Sequence, residues 1–343
     1  MSRITSPFKT SRRILSASIV SFLAISSSVQ AANLNKANNT DNLNTGTSWI
    51  GGVMPGAADT ALWDSTVTGT NAVSLGADLN WKGIIITNPG GAVTINGSNT
   101  LTLGSSGIDM SSATQDLAIG LGLTIGRGSQ VWNLASGRTL TLNTGTFTRT
   151  AGATLNIQGL GTVTSSMTGL ANDASEGGGI LGPWLTLGTE ASTTYAQLSG
   201  GKIVAYTGGT SGVANAIASS STSATNYTIA TAANGTYGIT RTLNTLRNTA
   251  GASTLTIGNS ASQTTMTLNG ILNAGTGTLT INPGGSHANN GVMIGAGNGR
   301  ELVLNAANAS ISLGRIVDNA GGASSVTVTS AGSNTVTLTG GNT

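Results

Sequence analysis

The stretch AVTING at residues 92–97, followed by LTLG at residues 101–104, contains the pattern that decides the fold of this chain. An apolar residue, a small polar residue and a second apolar residue precede a break of Gly, Asn, Ser or Thr. This alternation is typical of β-strands, because successive side chains of a strand point to opposite faces. The pattern returns as LTLN at 140–143, LNI at 155–157, LTIG at 255–258, LTIN at 279–282 and VTL at 336–338.

The strands that this pattern predicts are too short to bury enough surface alone, so they must stack. Between Leu140 and Val163 the apolar segments return about every seven to eight residues. Three such strands with their turns make a coil of roughly 20–25 residues, which is typical of β-solenoids. The sequence therefore predicts an all-β solenoid with Thr, Ser and Asn ladders outside and apolar residues inside. The candidate core positions are Leu103, Ile125, Leu142 and Ile157.

The first 31 residues have the features of a secretory signal peptide. Arg3, Lys9, Arg12 and Arg13 precede an apolar run at residues 14–25, and small residues follow up to Ala31. The run is too short to span a membrane and matches the length of a signal-peptide core. We expect cleavage after Ala31 and a secreted or cell-surface location in a Gram-negative bacterium. Export by the general secretory route is favoured, and the twin-arginine route is the alternative because Arg12 and Arg13 form a partial twin-arginine motif.

Charge and cysteine content narrow the possible partners. The chain has 14 Lys and Arg against 11 Asp and Glu, but four of the basic residues lie in the predicted signal peptide. The remaining 10 basic and 11 acidic residues give a formal charge of −1, which does not favour nucleic-acid binding. The chain has no cysteine. Its stability must therefore come from burial and backbone hydrogen bonds.

The pattern divides the chain into regions of different density. After the signal peptide at 1–31, residues 32–83 form a predicted N-terminal cap region with Trp49, Trp63 and Trp81. We expect these tryptophans to plug the open end of the core, and carbohydrate stacking is the alternative. Residues 84–169 and 242–343 are predicted coils. Residues 170–241 interrupt the pattern with a loop excursion.

Several motifs resemble those of autotransporter-associated β-strand repeat proteins, which are exported Gram-negative surface proteins. The segment GGGILGPW at 177–184, with TYA at 194–196 and IVAY at 203–206, resembles a block typical of that family. The segments WIGGVMPGAAD at 49–59 and TLNTLR at 242–247 resemble its opening and strand-start motifs, although the aromatic residue that commonly follows the arginine is missing. IVDNAGG at 316–322 and VTLTGGNT at 336–343 resemble the start of a first associated repeat.

The resemblance implies a right-handed parallel β-helix with an N-terminal cap, export, and a display or structural role. Family members usually continue into many repeats and a membrane barrel or sorting signal. The three phenylalanines of this chain cannot supply the aromatic girdles of a barrel. We therefore expect an outer-membrane anchor outside this chain.

Residues suited to catalysis are few and scattered. His287 is the only histidine and lies in the polar segment GGSHANN at 284–290, which favours a solvated turn over a general base. One histidine also excludes a metal site with two histidine ligands in one chain. The glycine-rich segments at 120–126 and 295–299 lack the spacing of a dinucleotide site and the aspartates of a calcium repeat. We expect no metal, no small-molecule cofactor and no catalytic activity.

The alternative is a carbohydrate-binding β-helix or one that degrades polysaccharides as a lyase or glycosidase. A glycosidase needs two carboxylates about 5–9 Å apart, and Asp173 and Glu176 are the nearest such pair beside the tyrosines. The partner is then an unknown surface ligand or glycan. The candidate binding residues are Trp184, Tyr195, Tyr206, Asp173 and Glu176.

Overall fold

A computed structural model describes residues 31–173, 179–258 and 262–342. The predicted signal peptide lies outside the described residues except for Ala31. The described part is nearly all β, with 2% helix, and parallel strands stack into a β-solenoid of about 12 turns. The predicted all-β solenoid is therefore confirmed. All described residues belong to one compact unit.

The described residues form two stacks, which we call the first arm and the second arm. The first arm contains strands β1 to β14: β1 (Asn33–Asn35), β2 (Thr60–Trp63), β3 (Asn71–Ser74), β4 (Leu79–Ile86), β5 (Val93–Met110), β6 (Leu117–Ile125), β7 (Gly128–Leu134), β8 (Thr139–Leu142), β9 (Phe147–Arg149), β10 (Ala153–Gly159), β11 (Thr162–Ser165), β12 (Leu185–Leu187), β13 (Thr194–Ser199) and β14 (Lys202–Ala205). Two single-turn 3-10 helices, Gly46–Ser48 and Glu190–Ser192, lie between its strands.

The second arm contains three sheets that run along its length. Its strands are β15 (Thr210–Val213), β16 (Asn226–Thr231), β17 (Asn234–Tyr237), β18 (Arg241–Thr242), β19 (Thr245–Asn248), β20 (Ser253–Ile257), β21 (Thr265–Leu268), β22 (Gly270–Asn273), β23 (Leu279–Pro283), β24 (Gly291–Ile294), β25 (Glu301–Ala306), β26 (Ile311–Leu313), β27 (Ile316–Val317), β28 (Ser325–Ser330) and β29 (Val336–Leu338). The sheets follow the orders β15-β16-β19-β22-β25-β28, β17-β20-β23-β26-β29 and β18-β21-β24-β27.

The repeated sequence pattern produces the core because the coils stack in register. In the second arm Leu255 pairs with Ile281, and Ile281 pairs with Leu313. In the first arm Ile119 pairs with Leu142 on the next coil. All of these side chains are buried. Parallel in-register stacking therefore turns the alternating pattern into continuous inward columns of Leu and Ile.

The predicted core positions Leu103, Ile125, Leu142 and Ile157 are all buried. The three tryptophans of the predicted cap region also lie inside the first arm. Trp49 contacts Trp63 and Trp81 edge-on, with ring centroids 5.8 Å apart in both pairs. Because their rings are at most 2% exposed, they cannot provide a solvated platform for sugar rings.

Buried asparagines form two ladders in the second arm. The Asn248 amide nitrogen donates to the Asn273 amide oxygen at 2.9 Å, and Asn269 donates likewise to Asn244 at 3.1 Å. All four side chains are at most 2% exposed. Each pair is 25 residues apart, which is one coil. The polar ladders were predicted only for the outside, so these internal ladders differ from the prediction.

An antiparallel hairpin ends the first arm. Strand β13 pairs antiparallel with β12 and β14, and β14 pairs antiparallel with β11. Gly200 and Gly201 have φ of 55° and 73°, as a two-residue hairpin turn with two left-handed positions requires. The hairpin thus bonds to β12 through β13 and to β11 through β14. Solenoid strands resume at Thr210, inside the predicted interrupted region 170–241.

The two arms lie side by side and advance in opposite directions. As the second arm proceeds from Arg247 through Glu301 to Thr329, its partners on the first arm are Thr193, Gly152 and Ser129. The Ser129 and Thr329 hydroxyl oxygens are 3.0 Å apart although the residues are 200 positions apart in sequence. The chain therefore folds back on itself after the hairpin.

A buried ion pair joins the arms near the middle of their contact. Arg149 of the first arm lies 2.6 Å from the Glu301 carboxylate, and both side chains are largely buried. Glu301 also accepts hydrogen bonds from the Gly152 amide and the Thr327 hydroxyl. The Arg149 guanidinium lies over the Trp184 ring, 5.5 Å from its centroid. These contacts compensate both charges for the loss of water.

Candidate functional site

The largest pocket that is lined by predicted binding residues lies where the first arm passes into the second. We call it the elbow pocket. The hairpin positions two of its tyrosines: Tyr195 lies on β13, Tyr206 follows β14, and the Tyr206 amide donates to the Tyr195 carbonyl at 2.8 Å. The pocket has a volume of about 380 Å³. This volume falls within the usual range of small-molecule sites.

Tyr195 forms the inner wall of the pocket. Its ring packs in a small apolar cluster with Ile180, Leu272 and Ala307, which joins the arms. The side chain is 3% exposed, and its buried hydroxyl lies beside the Thr245 hydroxyl. Burial raises the pKa of Tyr195, and the nearby Arg247 charge and Thr245 hydroxyl oppose this increase only in part. The hydroxyl is therefore neutral and shielded from solvent.

Arg247 supplies the charge of the pocket. It lies on β19, and its outward side chain reaches the first arm, where Nε donates to the Thr193 carbonyl at 3.0 Å. Burial lowers the pKa of Arg247, and the Tyr195 hydroxyl opposes this decrease. Arginine nevertheless stays protonated at neutral pH. The Thr193 bond fixes one side of the guanidinium, and the two terminal nitrogens have no protein partner among the described residues.

Hydroxyl groups dominate the remaining wall. The lining residues comprise Thr194, Thr207, Thr210, Ser211, Thr228 and Thr245, together with Asn226, Tyr227 and two glycines. The described lining contains no Asp or Glu and no aliphatic side chain. The arrangement can therefore bind a polar, negatively charged group, but its lining offers no carboxylate pair for glycoside hydrolysis.

The structure brings together only two of the five predicted binding residues, Tyr195 and Tyr206. Trp184 is 8% exposed and stacks on Phe147 at 6.0 Å inside the first arm, away from the pocket lining. The Asp173 amide donates to the Ile180 carbonyl, and Asp173 also lies outside the lining. Glu176 lies outside the described residues. Of the predicted binding residues, the pocket lining therefore contains the two tyrosines.

Sequence reasoning missed Arg247 and Tyr227. The available signal for Tyr227 was the clustering of all four tyrosines between Tyr195 and Tyr237. Arg247 ends the segment TLNTLR at 242–247, which resembles a strand-start motif. That motif gives no indication that the arginine binds a ligand. Arg247 reaches the pocket only because the second arm folds back against the first.

The structure also bears on His287, on metal-ligating side chains and on membrane-spanning helices. His287 accepts a hydrogen bond from the Asn289 amide at 3.1 Å in its turn. Within the described ranges, no group of three or more His, Cys, Asp and Glu side chains is placed to hold a metal ion. Over the same ranges, no helix is long and apolar enough to cross a membrane.

No protein-family model, curated protein or solved structure matches the chain. Any proposal about function therefore rests on the elbow pocket and the two-arm solenoid.

Proposed function

We propose that this protein is an exported structural solenoid that is displayed at the surface of a Gram-negative cell and binds a ligand without catalysis. The observation that carries the proposal is the pair of arms, which are locked side by side without any cysteine. Most of the described strands bond to neighbouring strands on both sides, and an ion pair joins the two arms. This construction suits a durable surface element exposed to varied conditions.

Export and the surface location are supported by the N-terminal sequence and by the family resemblance. The basic residues, the apolar run at 14–25 and the small residues before Ala31 favour secretion. The motifs at 49–59 and 177–184 resemble those of exported surface proteins. An anchor outside this chain completes the proposal.

The carbohydrate alternative is favoured in its binding form. The elbow pocket combines three tyrosines with an arginine, and its described lining carries no carboxylate. A glycosidase needs two carboxylates at the scissile bond. An adhesin-like role is thus the extension of the display function that this pocket favours.

Expression of the whole chain in a Gram-negative host tests the proposal. We expect the protein to leave the cytoplasm and N-terminal sequencing to find Ala32 first, because the apolar run directs export. A matched Leu23→Arg variant, which breaks that run, should stay inside. The exported chain should release no reducing ends from neutral or acidic polysaccharides. An uncleaved wild-type chain in the cytoplasm, or release of reducing ends, would contradict the proposed function.

A further inference from the structure

Arg247 lines the elbow pocket, and four of its five guanidinium N–H groups have no protein partner among the described residues. Its Nε is held by the Thr193 carbonyl, and no carboxylate of the described residues pairs with it. By contrast, Arg149, which also lies between the arms, is paired with the Glu301 carboxylate. A guanidinium that is positioned and unpaired is suited to take an anion through two parallel hydrogen bonds.

Aromatic groups lie beside this charge. Tyr206 is half-buried and lines the pocket, whereas Tyr195 and Tyr227 are each 3% exposed. Tyr227 donates its hydroxyl to the Val213 carbonyl at 2.9 Å. The Tyr195 hydroxyl is buried beside Thr245. The pocket therefore offers one open aromatic ring, that of Tyr206.

The wall chemistry favours a sugar over an apolar peptide. A peptide with apolar side chains near its carboxylate would need apolar subsites, and the described lining has no aliphatic residue. A sugar ring presents several hydroxyls and one face of C–H groups. The threonine and serine hydroxyls can hydrogen-bond to the sugar hydroxyls. The Tyr206 ring can pack against the face of C–H groups.

We propose that the elbow pocket binds a carboxylated sugar of the hexuronate class, with the carboxylate on Arg247 and the sugar ring against Tyr206. This inference rests on the proposed display function and assigns the chemical class of its ligand. The charge of the whole chain does not specify this ligand class, and neither does the tyrosine cluster alone.

Calorimetric titration of the exported chain with methyl hexuronides tests the proposal. The panel contains the gluco, galacto and manno forms, with methyl galactoside, acetate and inorganic phosphate as separate probes of sugar and of anion. We expect at least one hexuronide to bind roughly tenfold or more tighter than each of the other three, because only it satisfies both the arginine and the ring. No hexuronide binding, or methyl galactoside, acetate or phosphate binding as tightly, overturns it.

Two variants place the ligand in the pocket. Arg247→Met keeps the aliphatic stem and removes the charge, and Thr207→Trp fills the pocket from an exposed rim position. Both should weaken hexuronide binding roughly tenfold or more. Thr222→Trp, on an exposed residue outside the lining, should leave it unchanged. Circular dichroism checks folding. If Arg247→Met does not fold, Thr207→Trp decides, and full binding by that variant overturns the proposal.

The result of the binding experiment can be distinguished from the result of the export experiment. A chain that is exported, leaves polysaccharides uncleaved and binds no hexuronide retains the display function and loses only the ligand class. A chain that stays in the cytoplasm and still binds hexuronides retains the site and loses the display function.

Discussion

Replacing Leu142 with Asp is expected to unfold the first arm. Leu142 is fully buried, and it stacks between Ile119 and Ser165 of the neighbouring coils. A carboxylate there would have neither water nor a cationic partner. We expect a loss of more than about 4 kcal/mol in the free energy of unfolding, which is the upper part of the range for single substitutions.

Tryptophan fluorescence measures this loss directly, because all five tryptophans lie in the first arm. The matched control is Thr141→Asp. Thr141 precedes Leu142 on β8, and its side chain points to the opposite, partly exposed face. We expect that control to stay within about 1 kcal/mol of the wild type. Equal stability of the two variants would show that the strand does not present Leu142 to a packed core.

Replacing Glu301 with Ala is expected to separate the arms. The substitution leaves Arg149 buried between the Ala153 carbonyl and the Trp184 ring without its carboxylate. Breaking a buried ion pair from one side costs about 3–5 kcal/mol. Urea unfolding followed by tryptophan fluorescence should show this loss, since Trp184 lies under Arg149.

Two further variants show whether the buried position causes the effect. Arg138→Met breaks the exposed pair with Asp116, which is 3.6 Å away, and should cost less than about 1 kcal/mol. The double variant Arg149→Met with Glu301→Leu should recover much of the loss, because two apolar residues leave no charge uncompensated. A loss for Arg138→Met as large as that for Glu301→Ala would contradict this account.

The same ion pair gives the contact between the arms a pH dependence. Burial alone would raise the pKa of Glu301, but the Arg149 and Thr327 hydrogen bonds, the Arg149 charge and the Gly152 amide hold it below its ordinary value of 4.5. A carboxylate with a lowered pKa stabilises the fold above its unfolded-state pKa and loses that contribution as pH falls through the folded-state pKa. The stability difference between wild type and Glu301→Ala should therefore shrink in acid.

The coils could be predicted from the sequence because their cause is local. The apolar pair at Leu155 and Ile157 stacks on Leu185 and Leu187 in the next coil, and the period-two pattern encodes that alignment. The asparagine ladders were missed, although Asn248 and Asn273 share a spacing of one coil. Asparagine occurs so often in this chain that its spacing alone gave no indication of burial.

The return of the second arm could not be predicted from the same pattern. Its contacts are made by outward residues such as Ser129, Asn305 and Thr329, whose type is that of any solvated strand face. Glu301 and Arg149 are far apart in sequence, and neither lies in a motif. The full elbow pocket could not be predicted for the same reason. Tyr195 lies on the hairpin and Tyr206 directly follows it, whereas Arg247 lies on the second arm.

An engineered crosslink tests the folded-back arrangement of the arms. The chain has no cysteine, so Ser129→Cys with Thr329→Cys introduces a single pair, at two hydroxyl positions 3.0 Å apart. Mild oxidation should close a disulfide within one chain, because the two positions adjoin across the arms. Mobility on a non-reducing gel, with intact-mass measurement, detects it.

The matched control is Ser129→Cys with Thr256→Cys, whose second position lies on a different sheet of the second arm. Arms packed side by side in opposite directions predict a rapid intramolecular crosslink for the first pair and none for the control. Two free thiols in the oxidised first pair, as one continuous straight stack of coils requires, would contradict the account.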